Sequence, residues 1–446
     1  MVQVSVIMPL FNAARYLPEA LQSVLGQTYK DFELICINDC STDDTGNILQ
    51  EYQEQDARVK ILENQEHSGA AISRNNGLKE AQGKYVIFLD GDDIFEEELL
   101  EKANEAMDTY CVDVVLFESM HVPSETIYTK KVKERSEYFI EHYCKTPFSV
   151  KDFDPMEFPN QTDSPWDKMF RRSFLDENRL EFQDLPSSND VYFVKMALFC
   201  AKKIIWLDDR RIMVYARDHF EPSRISYDRD PMCTYLAMDK LGKELEKRGL
   251  FEQLLQHYYC VLCFRLQGAL IRTKTEEKAK SFYQFLQNEG IENLTSLYKS
   301  KNLKLDNYIF NFVRKFEELG FESEWYKSVN DLYYYLERKH KNVIELIGSY
   351  HDRGIKIALW GAGINGKIFL DFLSSYHIKI EAVIDKNENK WGKEIDGYSI
   401  KQPAEAMDEI QAVITTSNSI YNALCKELDE RDIEIININD ILGRYL

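Results

Sequence analysis

The stretch KYVIFLDGDDIFEEELL, Lys84 to Leu100, follows a run of apolar residues with three carboxylates grouped round one glycine. Tyr85 to Leu89 reads as a short buried strand, and Asp90, Asp92 and Asp93 then crowd negative charge where the chain leaves the sheet. Carboxylates this close repel one another unless a cation shares them. A hard divalent ion, Mg2+ or Mn2+, binds through one or two such groups and keeps its other positions for water and phosphate oxygens. Asp90 and Asp92 are therefore candidate metal ligands, suited to neutralising the charge that builds on a nucleoside diphosphate as its sugar departs. The competing reading is an acidic turn ahead of the helical pattern IFEEELLEKANEAM, which suffices for Asp93.

Other polar residues sit where chemistry is possible. Asn12, Asn38 and Asp39 follow apolar strand patterns; Asp39 either closes an Asx turn or points from a strand end into a crevice. In NDCSTDDTGNILQEY, Ser41 or Thr42 is placed to cap a helix whose first turn holds Asp43 and Asp44. Asn189 is similarly placed to cap the helix of NDVYFVKMALF, which makes Asp190 a bystander on local evidence. Gly361, Gly363 and Gly366 match G-x-G-x-x-G between a strand and a helix, with Asp385 near the distance of a ribose-binding acid. NAD(P) or another nucleotide would fit there, but such glycines also serve tight turns and close helix packing alone.

The elements that position these residues follow from pattern. From Val2 to about Phe117 short apolar strands alternate with helical patterns, the signature of a sheet wrapped by helices, with ligands beyond the carboxyl ends of its strands. Residues 1–230 are expected to form this α/β domain, with an irregular insertion between about Thr129 and Gln161. Residues 231–350 read as helical throughout; aromatic stripes such as DLYYYLERKH mark core. Residues 351–446 read as a small Rossmann-like α/β domain.

Composition narrows the function. A chain of 446 residues with 44% hydrophobic and 29% charged residues is an ordinary globular protein of two or three domains. Its formal net charge of -20 repels nucleic acid and anionic lipid, so no nucleic-acid partner is expected. TKKVKER, Thr129 to Arg135, reads as a solvated loop. Nine cysteines without a regular framework suit a reducing compartment; Cys260 and Cys263, a lone C-x-x-C in an apolar helical pattern, lack the four ligands a zinc site needs. No run approaches the ~18 apolar residues of a membrane span, and MVQVSVIMPLFN shows no basic leader. A cytoplasmic location is expected.

VSVIMPLFN, INDCSTDDT, SGAAISRNNGLKEAQGKYVIFLDGDD, PWDKMFRRSFL and SSNDVYF together resemble the family 2 glycosyltransferases, in the family's order over about the first half of the chain. The resemblance implies a GT-A fold with a mixed sheet and metal-dependent, inverting transfer of a hexose or N-acetylhexosamine from a UDP-sugar to a glycan or glycoconjugate. It implies that Pro9 and Phe11 line the base pocket, Asp39 contacts uracil and Arg74 approaches the nucleotide or its phosphates. Asp90 would sit near ribose and metal, with Asp92 as direct ligand, and His219 in VYARDHFEPSRIS would be a loosely matched phosphate or metal contact. Asp190 would be the base that deprotonates the acceptor hydroxyl, replacing its bystander role. Asn38, Cys40, His67 and Asn189 depart from the family's usual residues. A lipid-linked acceptor would bring the protein to the inner face of a membrane, and a homo-oligomer is compatible with the added domains. The rival expectations are a nucleotide-sugar-binding scaffold without turnover, and a bifunctional protein with an NAD(P)-binding terminal domain. Residues 351–446 resemble, less specifically, the Rossmann-like domains of sugar-modifying and polysaccharide-assembly proteins.

Overall fold

Val4–Leu10 (β1) and Phe32–Asn38 (β2) are buried nearly throughout. They read as continuous apolar runs because helices cover the sheet on both faces. Val4, Val6, Met8 and Leu10 enter a cluster with Leu17, Ala20, Leu21 and Val24 of helix α1 (Leu17–Leu25). On the other face Ile7 and Ile37 press on Gly77 so closely that an added Cβ would lie 2.5 and 2.8 Å from them. Helix α1 carries its apolar residues at helical spacing, has a proline in its first turn, where a missing N–H is harmless, and is followed by Gly26. Truncating Leu21 to Ala would cost about 2–5 kcal/mol.

The structure, a computed structural model, describes residues 2–123, 143–155, 158, 163–208, 214–218, 230–273, 276–286, 288, 336, 340–416, 418–428, 433–438 and 441. TKKVKER, His219 and most of DLYYYLERKH lie outside these. The chain divides into two units, Met1–Ala269 and Leu270–Leu446.

In the first unit α2 (Thr45–Gln55), β3 (Val59–Glu63), α3 (Gly69–Glu80), β4 (Tyr85–Phe88) and β5 (Ile94–Phe95) follow β2. Next come α4 (Leu99–Tyr110), β6 (Val114–Phe117), β7 (Ser119–Pro123), β8 (Lys168–Arg171) and α5 (Arg172–Glu177). The unit is completed by α6 (Asn189–Cys200), β9 (Ile204–Leu207), β10 (Val214–Asp218), α7 (Pro231–Lys247) and most of α8 (Phe251–Arg272). The main sheet has the order β3-β2-β1-β4-β8-β6-β9, and β5, β10 and β7 form a second sheet. Strand β8 runs antiparallel to both of its neighbours, whereas β1, β2, β3 and β4 pair in parallel. Because β2 and β4 lie on opposite sides of β1, a crevice opens beyond the carboxyl ends of these three strands.

Helix α6 is buried from Val191 to Phe199 and is apolar nearly all round, as a central helix must be. Its exception is Lys195, fully buried with Nζ 3.0 Å from Asp163 Oδ1, while Arg265 of α8 pairs with Asp163 Oδ2. Burial pulls the Lys195 ammonium down to about 8 against the opposing pull of Asp163. Cys260 and Cys263 are both buried along α8. No helix among the described residues is long and apolar enough to cross a membrane.

The second unit contains α9 (Glu276–Phe285), α10 (His340–Asp352), β11 (Ile357–Trp360), α11 (Ile364–Ser375), β12 (Ala382–Ile384), β13 (Glu394–Ile395) and β14 (Tyr398–Lys401). It continues with α12 (Pro403–Ala406), β15 (Ala412–Thr415), α13 (Asn418–Glu427) and β16 (Glu434–Asn437). Its sheet has the order β13-β14-β12-β11-β15-β16, parallel except for the β13–β14 hairpin. Leu359, Phe369, Phe372, Val383 and Ile414 share one core.

Candidate active site

The crevice begins where β1 and β2 end in register, Leu10 opposite Asn38. Pro9 is half-buried near the end of β1, and Phe11, just past it, is 45% exposed. The Asp39 N–H donates to the Leu10 carbonyl at 2.8 Å, which turns its side chain away from the strand. That carboxylate is only 2% exposed. Its Oδ1 accepts from the Ser68 N–H at 2.8 Å and from Asn64 Nδ2 at 2.7 Å; its Oδ2 accepts from the Gly69 N–H at 2.8 Å. His67 Nδ1 stands 2.9 Å from Oδ2, and the His67 ring lies on that of Phe11 with centroids 4.0 Å apart. Asp39 thus satisfies the positive end of α3. The tight turn after β2 is closed instead by Asn38, whose Oδ1 accepts the Ser41 N–H at 3.1 Å.

The capping expectation for Ser41 and Thr42 is corrected in the same loop. Asn12, in the left-handed region at φ 50, accepts the Thr42 N–H at 2.7 Å, and Ser41 Oγ accepts the Asn12 N–H. Asp43 bonds the Thr45 and Ala14 N–H groups, so α2 starts at Thr45.

The acidic turn follows β4. An added Cβ at Gly91 would come within 2.2 Å of Leu10 Cδ2, so the glycine lets this turn lie against the end of β1. Asp90 keeps 35% of its side chain exposed, Asp92 is half-buried, and Asp93 is buried with its N–H on the Asp90 carbonyl at 3.0 Å. Arg74, on α3 and 5% exposed, donates from Nη2 to Asp90 Oδ1 at 2.6 Å and from Nη1 to Asn189 Oδ1 at 3.4 Å. Phe182 lies under the guanidinium, 5.3 Å from Cζ to ring centroid, and stacks on Phe193 of α6 at 4.0 Å. Asn75 fixes Phe182 by bonding both its backbone groups, at 2.8 and 2.9 Å.

Asn189 is not the cap that its sequence suggests. Ser188, at φ 55, holds the cap position of α6 without a capping hydrogen bond, its Oγ lying 3.0 Å from Thr234 Oγ1 instead, and Asn189 is the first helical residue, its amide turned to Arg74. Asp190 follows in the first turn, half-buried, one residue beyond the Asn189 that shares Arg74 with Asp90. Asn189, Phe182 and His67 carry no local signal of these contacts. Each contact depends on residues distant in sequence meeting in the fold.

Carboxylate oxygens at a strand end are the donor type a hard divalent cation selects. Among the described residues no three His, Cys, Asp or Glu side chains gather closely enough to enclose one. A cation shared between one or two carboxylates and a substrate diphosphate needs no such cage.

In the second unit Gly361 adopts φ 111, a left-handed conformation that favours glycine, and an added Cβ at Gly366 would meet the Gly361 carbonyl at 1.9 Å. Nothing lies within 4 Å of a Cβ at Gly363. Asp385 Oδ2 accepts the Ala362 N–H at 2.8 Å and pairs with Lys390 at 2.9 Å, and its Oδ1 accepts the Asn387 N–H. Burial opposes ionisation of this carboxyl, yet these donors together hold it below the usual range. The acid therefore braces the glycine turn rather than standing open at its rim.

The profile described as Glycosyl transferase family 2 matches residues 5–179, and that described as C2185-like, N-terminal matches residues 354–438. The putative teichuronic acid biosynthesis glycosyltransferase TuaG of Bacillus subtilis is 47% identical over 104 residues, covering 23% of this chain and 41% of that protein. Glycosyltransferase GlyA of Streptococcus pneumoniae is 28% identical over 273 residues, covering 57% and 37%. The chain thus spans about two fifths of the length of these relatives. The crystal structure of S. aureus TarS 1-349, alone and in complex with UDP-GlcNAc, superposes with a TM-score of 0.55 at 22% identity over 74% of this chain and 91% of that one. The first unit shares that GT-A fold.

Proposed function

We propose, from the premise that residues 5–179 belong to glycosyl transferase family 2, that this chain transfers a hexose or N-acetylhexosamine from a UDP-sugar to a hydroxyl of a glycan or glycoconjugate, inverting the anomeric centre. The observation that carries this reading is the single guanidinium of Arg74 shared between Asp90, at the end of β4, and Asn189, which opens α6 beside Asp190. It ties the element for the donor's departing diphosphate to the element bearing the base for the acceptor. The Asp190 carboxylate takes the acceptor proton, the freed oxygen bonds to the anomeric carbon, and the bond to the diphosphate oxygen breaks with its electron pair leaving on UDP. Asp92, with Asp90 beside it, would hold Mg2+ or Mn2+, which supplies neutralisation of the leaving charge. Phe11 and Pro9 line the place of the base, near Asp39. UDP-GlcNAc, bound by TarS, is the first donor to test.

The test is UDP release from a panel of UDP-sugars with Mn2+ and glycan acceptors. The reading expects acceptor-stimulated release with one donor and its loss in Asp92→Ala. Tight UDP binding with no release for any donor or acceptor would favour a binding scaffold instead.

A further inference from the structure

We infer that the His67 imidazole is a built-in stand-in for the donor's nucleobase, occupying the base site until UDP displaces it. The inference rests on the reading above that Phe11 and Asp39 mark that site. Three observations carry it. The His67 ring lies 4.0 Å from that of Phe11 and is tilted by 32°. Its Nδ1 is 2.9 Å from Asp39 Oδ2 and bonds the Asp39 main-chain carbonyl at 3.3 Å, and since both oxygens only accept, this nitrogen is the donor. Its side chain is 51% exposed, although Asp39 is buried.

A flat ring on an aromatic face, with a ring N–H beside a carboxylate, is also what a uracil presents. Two rings 4.0 Å apart leave no slot for a third, because a base between them needs contact distances of about 3.5 Å on each side, or ~7 Å in all. The other donors on Asp39 are the backbone of Ser68 and Gly69 and the Asn64 amide, which Ser73 Oγ also engages at 3.0 Å. The two backbone donors cannot leave without unravelling the start of α3, and the Asn64 amide is held by Ser73 and by Asn76 at 3.0 Å, whereas the half-exposed His67 leaves by a side-chain rotation. Base binding at Asp39 therefore means exchange of one ring for the other, and the apparent affinity is lowered by the fraction of chains in which His67 is in place.

The experiment is calorimetric titration of the full chain and of His67→Ala and Phe11→Ala with UDP, uridine and inorganic pyrophosphate. His67→Ala is expected to bind UDP and uridine about three- to tenfold more tightly and pyrophosphate unchanged; Phe11→Ala is expected to bind UDP more weakly. Weaker or unchanged UDP binding by His67→Ala, alongside weakening by Phe11→Ala, would overturn the stand-in while leaving the base site intact. Equal tightening for pyrophosphate would also overturn it, by revealing a general charge effect. Indifference of UDP to Phe11→Ala would remove the base site itself, and the stand-in with it.

Discussion

Asp90 and Asn189 hold two nitrogens of one guanidinium, that of Arg74, which is buried over Phe182 between them. Two elements separated by about a hundred residues are thereby fixed at one end of the sheet. Hydrogen bonds to charged groups contribute about 1.5–3 kcal/mol, and an abandoned buried partner loses that and its solvation.

Arg74→Ala is expected to destabilise the first unit by about 2–4 kcal/mol and to lower UDP release by at least ~100-fold. Arg74→Lys, whose single ammonium lacks the fork geometry, should recover stability more than activity. Urea unfolding and initial rates on the same preparations check this.

Gly91→Ala sets a methyl against Leu10, whose side chain ends 2.2 Å from the added carbon. The acidic turn must then shift, and a misplacement of about 1 Å costs on the order of 100-fold in rate. Leu10→Ala in the same chain should restore part of the activity despite its own cavity. Failure of this rescue would mean that Gly91 matters for a reason other than closeness to β1.

The sequence made much of this site legible, and its limits were physical. Alternating strands and helices up to Phe117 placed Asp39 and Asp90 at strand ends, because buried parallel strands write themselves as apolar runs. Strand β8 was not legible as the antiparallel member between β4 and β6: four residues arriving from some eighty positions away carry no partner in their own pattern. Local signals misassigned Asn189 as a cap, since the amide that caps one helix can as well answer a distant guanidinium. The glycine between Asp90 and Asp92 serves close packing by its lack of a side chain, which its own neighbours in sequence do not announce. The donors around Asp39 and Asp385 lay in loops, where spacing says little about direction.

The buried triad of Asp163, Lys195 and Arg265 predicts an order of stabilities. Asp163→Asn leaves two cations together and should cost about 3–5 kcal/mol. Lys195→Met leaves an Asp–Arg pair beside an apolar chain of similar length and should cost under about 1.5 kcal/mol. The ammonium loses its proton near 8 when folded but near 10.5 when unfolded. Between those values the unfolded chain binds the extra proton, so this group's contribution to stability rises with pH, and the methionine variant should lack that rise in unfolding measurements.

In the second unit Asp385 has its folded pKa below the unfolded value, so its contribution is complete above about 3.9 and is lost as pH falls through the folded value. Asp385→Asn is expected to lower stability by about 1–3 kcal/mol at pH 7 and by less at pH 3. Unfolding followed by the fluorescence of Trp360 and Trp391 reports on this unit. An equal deficit at both pH values would contradict the bracing role.

The base assignment is tested most directly by Asp190→Asn, with UDP affinity and sugar transfer measured side by side. The change keeps the side chain's shape and removes its capacity to take a proton. We expect UDP binding within about twofold of the parent and transfer lower by about 100- to 10,000-fold. Transfer at the parental rate with UDP binding intact would contradict it.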